Sequence, residues 1–344
     1  MTNGDRPRLP AATTFLVWAP RHRGTRSGWL AAELGIDDLH YLAPSTGRGL
    51  RAAPLKYPIQ LAQTARLLAA KRPRALFVQS PPSFAGWAAA GYAAATGAAV
   101  VIDAHSDAFE RPIWTRPTWL SRRTAAQVAA ILVTDEHWAD MVREWGGNPI
   151  IVSNVPTRLT PGEPPPLDPH RPNVVVVNTW APDEPLEAVL DAADAMPEVA
   201  FHVTGRDDRV ASLGRTIPPH VRFTGFLDEA AYLGLVAAAD AVVCLTRRDH
   251  TMQNGAAEAL MLGTPIVTSD WAILRTYFSR GTVHTDNSAT SIQAGLSRLL
   301  AEREAYRSEI HLLHDERRRT WEESRAQIVE AVARRLHRRR AASA

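Results

Sequence analysis

The sequence predicts an α/β protein built from two parallel-sheet domains. Three observations carry that expectation. Short apolar runs alternate with helical patterns along most of the chain, as strands buried under helices on both faces of a sheet do. The alternation stops at a proline-rich stretch, PGEPPPLDPHRP, and then restarts. The chain has 344 residues, enough for two domains with separate cores.

In the first half the candidate strands are Thr14 to Ala19, Ala75 to Gln79, Ala98 to Asp103, Ile131 to Thr134 and Ile150 to Ser153, with helical patterns such as Ile59 to Ala70 and Glu136 to Trp145 between them. Phe84 to Ile102 is uncharged for 19 residues, near the length of a membrane span. Thr96-Gly97 breaks that run into an alanine-rich helix and a strand that ends at Asp103, so it reads as helix plus core strand. Five prolines between residues 161 and 169 cannot pack as a regular element, and the segment reads as a stiff linker. The second half gives strands at Asn173 to Asn178, Val199 to Thr204, Val221 to Thr224, Ala241 to Leu245 and Pro265 to Thr268. From Ala301 the pattern is helical and charged. Ile328, Val332 and Leu336 form an apolar stripe, and Arg334, Arg335, Arg338, Arg339 and Arg340 follow it. Two readings of that basic end stay open: a solvated tail past a docked helix, or attraction to anionic lipid at a membrane surface.

Composition narrows the function classes. Hydrophobic residues make up 45% and charged residues 22%, as in a soluble globular protein. Net charge is +3, too mild to point to nucleic acid, and no basic patch interleaves with aromatics in a nucleic-acid motif. Cys244 is the only cysteine and lies in an apolar run, so no internal disulfide forms. Met1 to Arg8 lacks a hydrophobic signal core, and the expectation is a cytoplasmic protein, peripheral to the membrane if the basic tail binds lipid. There is no Asp-x-Asp tripeptide and no Cys/His cluster for zinc, so no metal site and no bound cofactor are expected.

The most informative stretch runs from Val221 to Asp270. Its order is β-α-β-α-β, and ligands in such sheets bind at the carboxyl ends of strands. The polar residues Thr246 to Gly255 sit at that place and combine cations, a helix N-terminus and, one turn on, the carboxylate of Glu258. Such a set suits a phosphorylated ligand bearing hydroxyl groups. Glu258 lies inside an otherwise apolar Ala-Ala-Glu-Ala-Leu-Met run, which argues against a plain surface glutamate, and a carboxylate can accept two hydrogen bonds from a vicinal diol.

The run Glu258-Ala259-Leu260-Met261-Leu262-Gly263-Thr264-Pro265 resembles the Glu-Ala-Met-x-x-Gly-x-Pro signature of retaining glycosyltransferases of the GT-B fold, family 4 or group 1. The resemblance extends to Val177 to Asp208, to Val100 to Phe109 and to Ile131 to Pro156. It implies two Rossmann-like domains facing across a cleft: an acceptor-side domain over 1–158, the linker over 159–172, a nucleotide-binding domain over 173–305, and a C-terminal helix and basic tail over 306–344 that crosses back to the first domain. It implies a hexosyltransferase-type enzyme that moves a sugar from a nucleotide sugar to an unknown acceptor (a glycan, a lipid-linked glycan or a small molecule), retaining configuration without a metal. Polysaccharide or glycoconjugate biosynthesis is the implied setting. Two alternatives stay open: a noncatalytic homologue that binds a sugar ligand or a partner enzyme, and a GT-B enzyme of other chemistry, an epimerase or a phosphorylase.

By that resemblance Glu258 holds the donor ribose. The family's second glutamate, eight positions earlier, is replaced by His250, with Asp249 beside it; Asp249 could supply the carboxylate, or His250 could donate to a sugar hydroxyl or phosphate. Thr251, Gln253, Asn254 and Gly255 precede or open the helix, where they either cap it or help bind an anion. The family's phosphate-binding arginine and lysine fall at Thr179 and Glu184. The only lysines are Lys56 and Lys71, so the substitutes are Arg206, which follows Gly205 in a glycine turn, Arg247 and Arg248. In the first domain His105, two residues beyond Asp103, is the catalytic candidate that contacts the sugar and orients the acceptor. Arg21, His22, Arg23 and Arg26 in the first loop are candidates for holding an anionic acceptor or the donor phosphate, and Asp103 is a further acceptor-side candidate.

Overall fold

The computed structural model describes residues 8–20, 25–44 and 52–343. The chain forms two compact units. One runs from the N-terminus to Val155 and takes in Thr320 onward; the other is Pro156–Arg319.

The sheet of the first unit is built from β1 (Thr13–Val17), β2 (Asp38–Tyr41), β3 (Ala75–Ser80), β4 (Ala99–Ala104), β5 (Ala130–Val133) and β6 (Pro149–Ile151), in the order β2-β1-β3-β4-β5-β6. That of the second is built from β7 (Asn173–Val176), β8 (Ala200–Val203), β9 (Val221–Phe223), β10 (Ala241–Cys244), β11 (Ile266–Ser269) and β12 (Thr282–Thr285), in the order β12-β11-β10-β7-β8-β9. Every pairing is parallel. The central strands are buried on both faces, which is why they read as unbroken apolar runs rather than alternating ones. Strand order reverses between β1 and β3 in the first sheet and between β7 and β10 in the second. The loops leaving these strands therefore diverge and open a crevice.

The helices start and stop where their residues dictate. The Asp135 carboxylate accepts from Trp138 N at 3.1 Å to open the helix Glu136–Glu144, and Thr25 Oγ1 accepts from Gly28 N at 3.2 Å to open Arg26–Leu34. Gly97, at φ +80°, ends the helix Ser83–Thr96, so the uncharged run divides into helix and strand as its Thr-Gly pair predicts. No helix among the described residues is long and apolar enough to cross a membrane. The helix predicted at Ile59 to Ala70 extends over Ala53–Lys71, with Pro58 accommodated inside it.

Two strands are absent from the sequence reading, β2 and β12. Both are edge strands, and both carry polar residues at half-buried positions (Asp38 and His40; Thr282 and His284), so neither shows the apolar run that marks an interior strand.

The proline-rich segment corrects the linker expectation. Gly162 N donates to Ala230 O at 2.8 Å, and a Cβ on Gly234 would lie 2.3 Å from Gly162 O, so the segment is seated on the helix Glu229–Ala238. Asn173 closes its far end, accepting from Asp168 N and donating to Asp168 O, both at 2.9 Å. The prolines fix a strap on the second unit, and the boundary between units falls earlier, after Val155. The last helix begins at Arg303, inside the helical pattern read from Ala301 and ahead of the domain bound at 306. It is continuous over Arg303–Ser343, and Arg303 is tied to Asp240 at 2.7 Å inside the second unit. From Thr320 it belongs to the first unit, where Ile328 and Val332 of the apolar stripe are fully buried and Ser324 Oγ donates to Ile151 O at 2.9 Å.

Candidate functional site

At the reversal point of the second sheet, two loops leave neighbouring strands. One, Val177–Pro185, follows β7; the other, Leu245–Gln253, follows β10. They are bonded to each other. Thr246, buried at the root of the second loop, donates its Oγ1 proton to Asp183 Oδ2 at 2.7 Å, and Arg247 N donates to Asp183 O at 2.8 Å. Behind Thr246, its N–H donates to Ser269 Oγ at 2.8 Å, and its carbonyl accepts from Trp271 Nε1 at 2.9 Å and Asn287 Nδ2 at 3.1 Å. The start of this loop is therefore fixed by five bonds, and the residues after it are presented from a rigid root.

The helix Asn254–Leu262 leaves that loop. Its N-cap residue is Gln253, whose side chain makes no capping bond; the amide oxygen instead accepts from Cys244 Sγ at 3.3 Å. Neither Thr251 nor Asn254 caps it. Thr251 Oγ1 donates back to Asp249 O at 3.2 Å. No N-cap side chain closes this helix; the Gly255 and Ala256 N–H groups are directed at the Cys244 sulfur, and the dipole adds positive potential at this end. Gly255 has a packing role: a Cβ there would meet Val177 Cγ1 at 2.7 Å, so glycine lets the helix close onto the end of β7. Burial pushes the Cys244 thiol up to about 12, so it is an inert core thiol as its apolar setting predicts.

Glu258 stands one turn into the helix, half-buried, and its Oε2 accepts from the Tyr232 hydroxyl at 2.7 Å. Burial raises the Glu258 carboxyl to about 7, with the Tyr232 bond pulling the other way. Burial and the neighbouring carboxylate push the Tyr232 phenol well above its ordinary value, so it stays a donor. Tyr232 is absent from the sequence reading. The signal for it was there: a tyrosine inside an apolar helix must find a partner for its hydroxyl.

Glu184, where the resemblance leads one to expect a cation, closes its own loop. It accepts from Thr179 N at 2.8 Å, Thr179 Oγ1 at 2.7 Å and Ala181 N at 3.0 Å. Trp180, held at φ +62°, stacks on Phe223 with ring centroids 6.0 Å apart. Gly205 sits at φ +98° with Asn178 O only 2.4 Å from where a Cβ would stand, so the loop after β8 is pressed against the loop after β7 and needs glycine there. Arg206 is exposed and its fork is engaged by Asp208, Nε to Oδ1 at 3.0 Å with Nη2 on Oδ2. The Arg247 side chain is exposed, and its Nη1 lies 3.5 Å from Pro182 O. Arg248 N donates to Thr246 Oγ1 at 3.1 Å. Asp249 Oδ1 accepts from His250 N at 2.7 Å, and His250 takes φ +51°, a left-handed conformation that costs a non-glycine residue roughly 1–3 kcal/mol. Arg247, Arg248, Asp249, His250, Gln253 and Glu258 are thus gathered on one strand–loop–helix unit. Arg206 lies on the loop of the next strand but one, already paired.

In the first unit, Arg21, His22 and Arg23 lie outside the described residues. Arg26 corrects its expectation. It is turned inward, with Nε donating to Asp103 Oδ1 at 3.0 Å, Nη2 to Val152 O at 2.8 Å and Nη1 to Ser153 O at 3.3 Å. All three nitrogens are used to fasten the ends of β4 and β6, so Arg26 is a structural clamp rather than an anion ligand. Asp103 is likewise not a surface group: it is fully buried, and its other oxygen lies 3.4 Å from His105 Nε2. Burial opposes ionisation of Asp103, but the Arg26 charge and the His105 contact outweigh it and hold the carboxyl well below the usual carboxylate range. His105 is partly exposed, its backbone N–H fixed to Ser80 O at 2.8 Å. A buried anion thus orients a solvent-facing imidazole at the carboxyl end of β4.

Two family models match the chain: "Glycosyl transferase 4-like domain" over residues 4–161 and "Glycosyl transferases group 1" over 171–302. Among solved structures the chain is similar to sucrose-phosphate synthase from Thermosynechococcus elongatus, at 14% identity and a TM-score of 0.72, covering 96% of this chain and 100% of that one. It is similar to Anabaena HepE in complex with UDP-glucose, at 12% identity and a TM-score of 0.65, covering 91% and 98%. A UDP-forming α,α-trehalose-phosphate synthase from Burkholderia xenovorans matches at 13% identity and a TM-score of 0.65, covering 93% and 99%. A search of curated proteins finds no significant match. With both halves matched and the two parallel sheets in place, the chain belongs to the group 1 glycosyltransferases of the GT-B fold, and it is a glycosyltransferase.

Proposed function

We propose that the enzyme transfers a hexosyl group from a nucleoside diphosphate sugar, held by the second unit, to an acceptor engaged by the first, with retention of configuration and without a metal ion. The observation that carries the reading is Glu258: a half-buried carboxyl, braced by Tyr232, on a helix whose N-terminus has no side-chain cap, at the reversal point of the second sheet. The carboxylate would accept from both ribose hydroxyls, and the positive end of the helix would face the diphosphate. UDP and UDP-glucose bound to the structurally similar HepE agree with a nucleotide-sugar donor.

The donor phosphates would be met by Arg247 and Arg248 at the loop root, with Arg206 available once a phosphate displaces Asp208 from its fork. These charges and the helix N-terminus would stabilise the negative charge that builds on the diphosphate as the glycosidic C–O bond breaks. The departing phosphate oxygen would accept the acceptor hydroxyl's proton as the new C–O bond forms on the same face, which gives retention. His105, oriented by Asp103, would hold the sugar and the acceptor hydroxyl.

The test incubates the protein with nucleotide sugars and a mixture of acceptor classes, following nucleotide release and the anomeric configuration of the product by NMR. Transfer with retention is expected. His105→Ala should lower kcat by about 10²-fold or more while leaving nucleotide affinity near wild type, because the imidazole belongs to the other unit. Nucleotide binding without release from any donor would instead favour a noncatalytic sugar-binding homologue.

A further inference from the structure

Charge and apolar exposure are both concentrated on the body of the first unit. The described part of residues 39–134 holds nine Lys and Arg against three Asp and Glu, and one of the nine, Lys71, is paired with Asp38. From Arg111 to Thr134 there is no carboxylate at all. Six large hydrophobic side chains are exposed among the described residues, and four of them lie in this region: Leu55, Leu61, Ile113 and Trp119.

These residues come from segments that are joined to one another. The Tyr57 ring meets Phe84 at 5.0 Å and Trp114 at 6.2 Å. Leu55 lies two residues before Tyr57 and Ile113 immediately before Trp114, so both flank that aromatic junction. Ser83 Oγ donates to Trp114 O, and Ser121 Oγ donates to Thr115 O at 3.0 Å, which fastens the helix Thr118–Gln127 beside it. That helix buries Ser121, Thr124 and Ala125 and leaves Trp119, Arg122, Arg123 and Ala126 outward, a helical face of one aromatic and two cations. The outward face of the helix Ala53–Lys71 is also apolar over Leu55, Pro58, Leu61, Ala62 and Ala65. No carboxylate among the described residues is paired with Arg116, Arg122 or Arg123.

We propose that this face docks the enzyme on an anionic phospholipid bilayer, with Trp119, Ile113, Leu55 and Leu61 entering the interface and Lys56, Arg116, Arg122 and Arg123 on the headgroups. Unpaired cations are attracted to an anionic surface, and single apolar side chains standing among them gain by entering the acyl boundary. Tryptophan is the side chain best suited to that boundary. A polyanion such as nucleic acid would use the cations but leave the aliphatic side chains in water, which favours lipid. Membrane contact then falls on the body of the first unit rather than on the arginines that end the last helix, independently of the donor chemistry.

The test is co-sedimentation of the full-length protein with vesicles of phosphatidylcholine alone and with phosphatidylglycerol added, at low and high salt. Binding to the anionic vesicles only, weakened by salt, is expected. Arg122→Glu/Arg123→Glu and, separately, Ile113→Ala/Trp119→Ala should each weaken partitioning at least about tenfold. Arg334→Glu/Arg338→Glu, on the last helix, should leave it unchanged. Circular dichroism confirms that the surface variants remain folded. Equal binding to both vesicle types, full binding by the first two variants, loss of binding in the third, or equally tight capture by random-sequence duplex DNA would each overturn the proposal.

Discussion

Asp103→Ala will destabilise the first unit by about 3–5 kcal/mol in chemical denaturation, because it leaves the Arg26 guanidinium in a nearly closed site without its counter-ion. Removing both partners with apolar residues of similar size, Arg26→Met with Asp103→Leu, should recover much of that loss, since it is the unpaired charge that is costly. The pH dependence has a defined sign. The folded-state Asp103 carboxyl titrates below its unfolded value of about 4, so the unfolded chain binds the extra proton. The stabilisation is complete above about pH 4 and is lost as pH falls toward the lower folded value. An Asp103→Ala variant as stable as wild type at pH 7 would remove the clamp from the account, and with it the reason His105 is held where it is.

Glu258→Ala will weaken nucleotide binding by about 1–3 kcal/mol, roughly 5- to 150-fold, the scale of lost hydrogen bonds to a charged group. Here the carboxyl is raised rather than lowered, to about 7, and its sign is opposite. Ribose hydroxyls donate to the carboxylate, so binding favours the ionised form and releases a proton. Wild-type affinity for UDP should therefore rise as pH increases through about 7, and Glu258→Gln should flatten that rise. In the unliganded protein the same raised carboxyl makes stability fall as pH climbs from the unfolded value of about 4.5 through about 7, the reverse of Asp103. Calorimetric titration at several pH values reads the binding effect. An affinity for UDP independent of pH in the wild type, or unchanged in a folded Glu258→Ala, would dissociate Glu258 from the nucleotide.

Much of this was legible in the residues. Buried parallel strands announce themselves as apolar runs, and ten of the twelve strands named above overlap stretches singled out on that ground. Gly97 and Gly263 mark helix ends because the chain there needs positive φ. What stayed hidden depends on direction and partner, which residue type does not encode. Arg26 looks like every other arginine in an arginine-rich loop, and only its three bonds to Asp103, Val152 and Ser153 show that it points inward. The proline-rich segment has the composition of a linker, but Gly162 and Gly234 allow an approach that seats it on a helix. Gly255 and Gly205, candidates for donor binding, also stand where neighbouring chain leaves no room for a Cβ, a constraint that the sequence does not show. Glu184 and Thr179 read as losses of charge, whereas the structure shows a loop lock put in that place.

The central claim is that the second unit binds the nucleotide of a sugar donor at Glu258 and the helix behind it. Calorimetric titration of the full-length wild-type protein with ADP, GDP, UDP, CDP and dTDP, without added metal, tests it most directly. Saturable one-to-one binding of at least one nucleoside diphosphate, lost or strongly weakened in Glu258→Ala, is the predicted result; a folded protein that binds none of the five would contradict it.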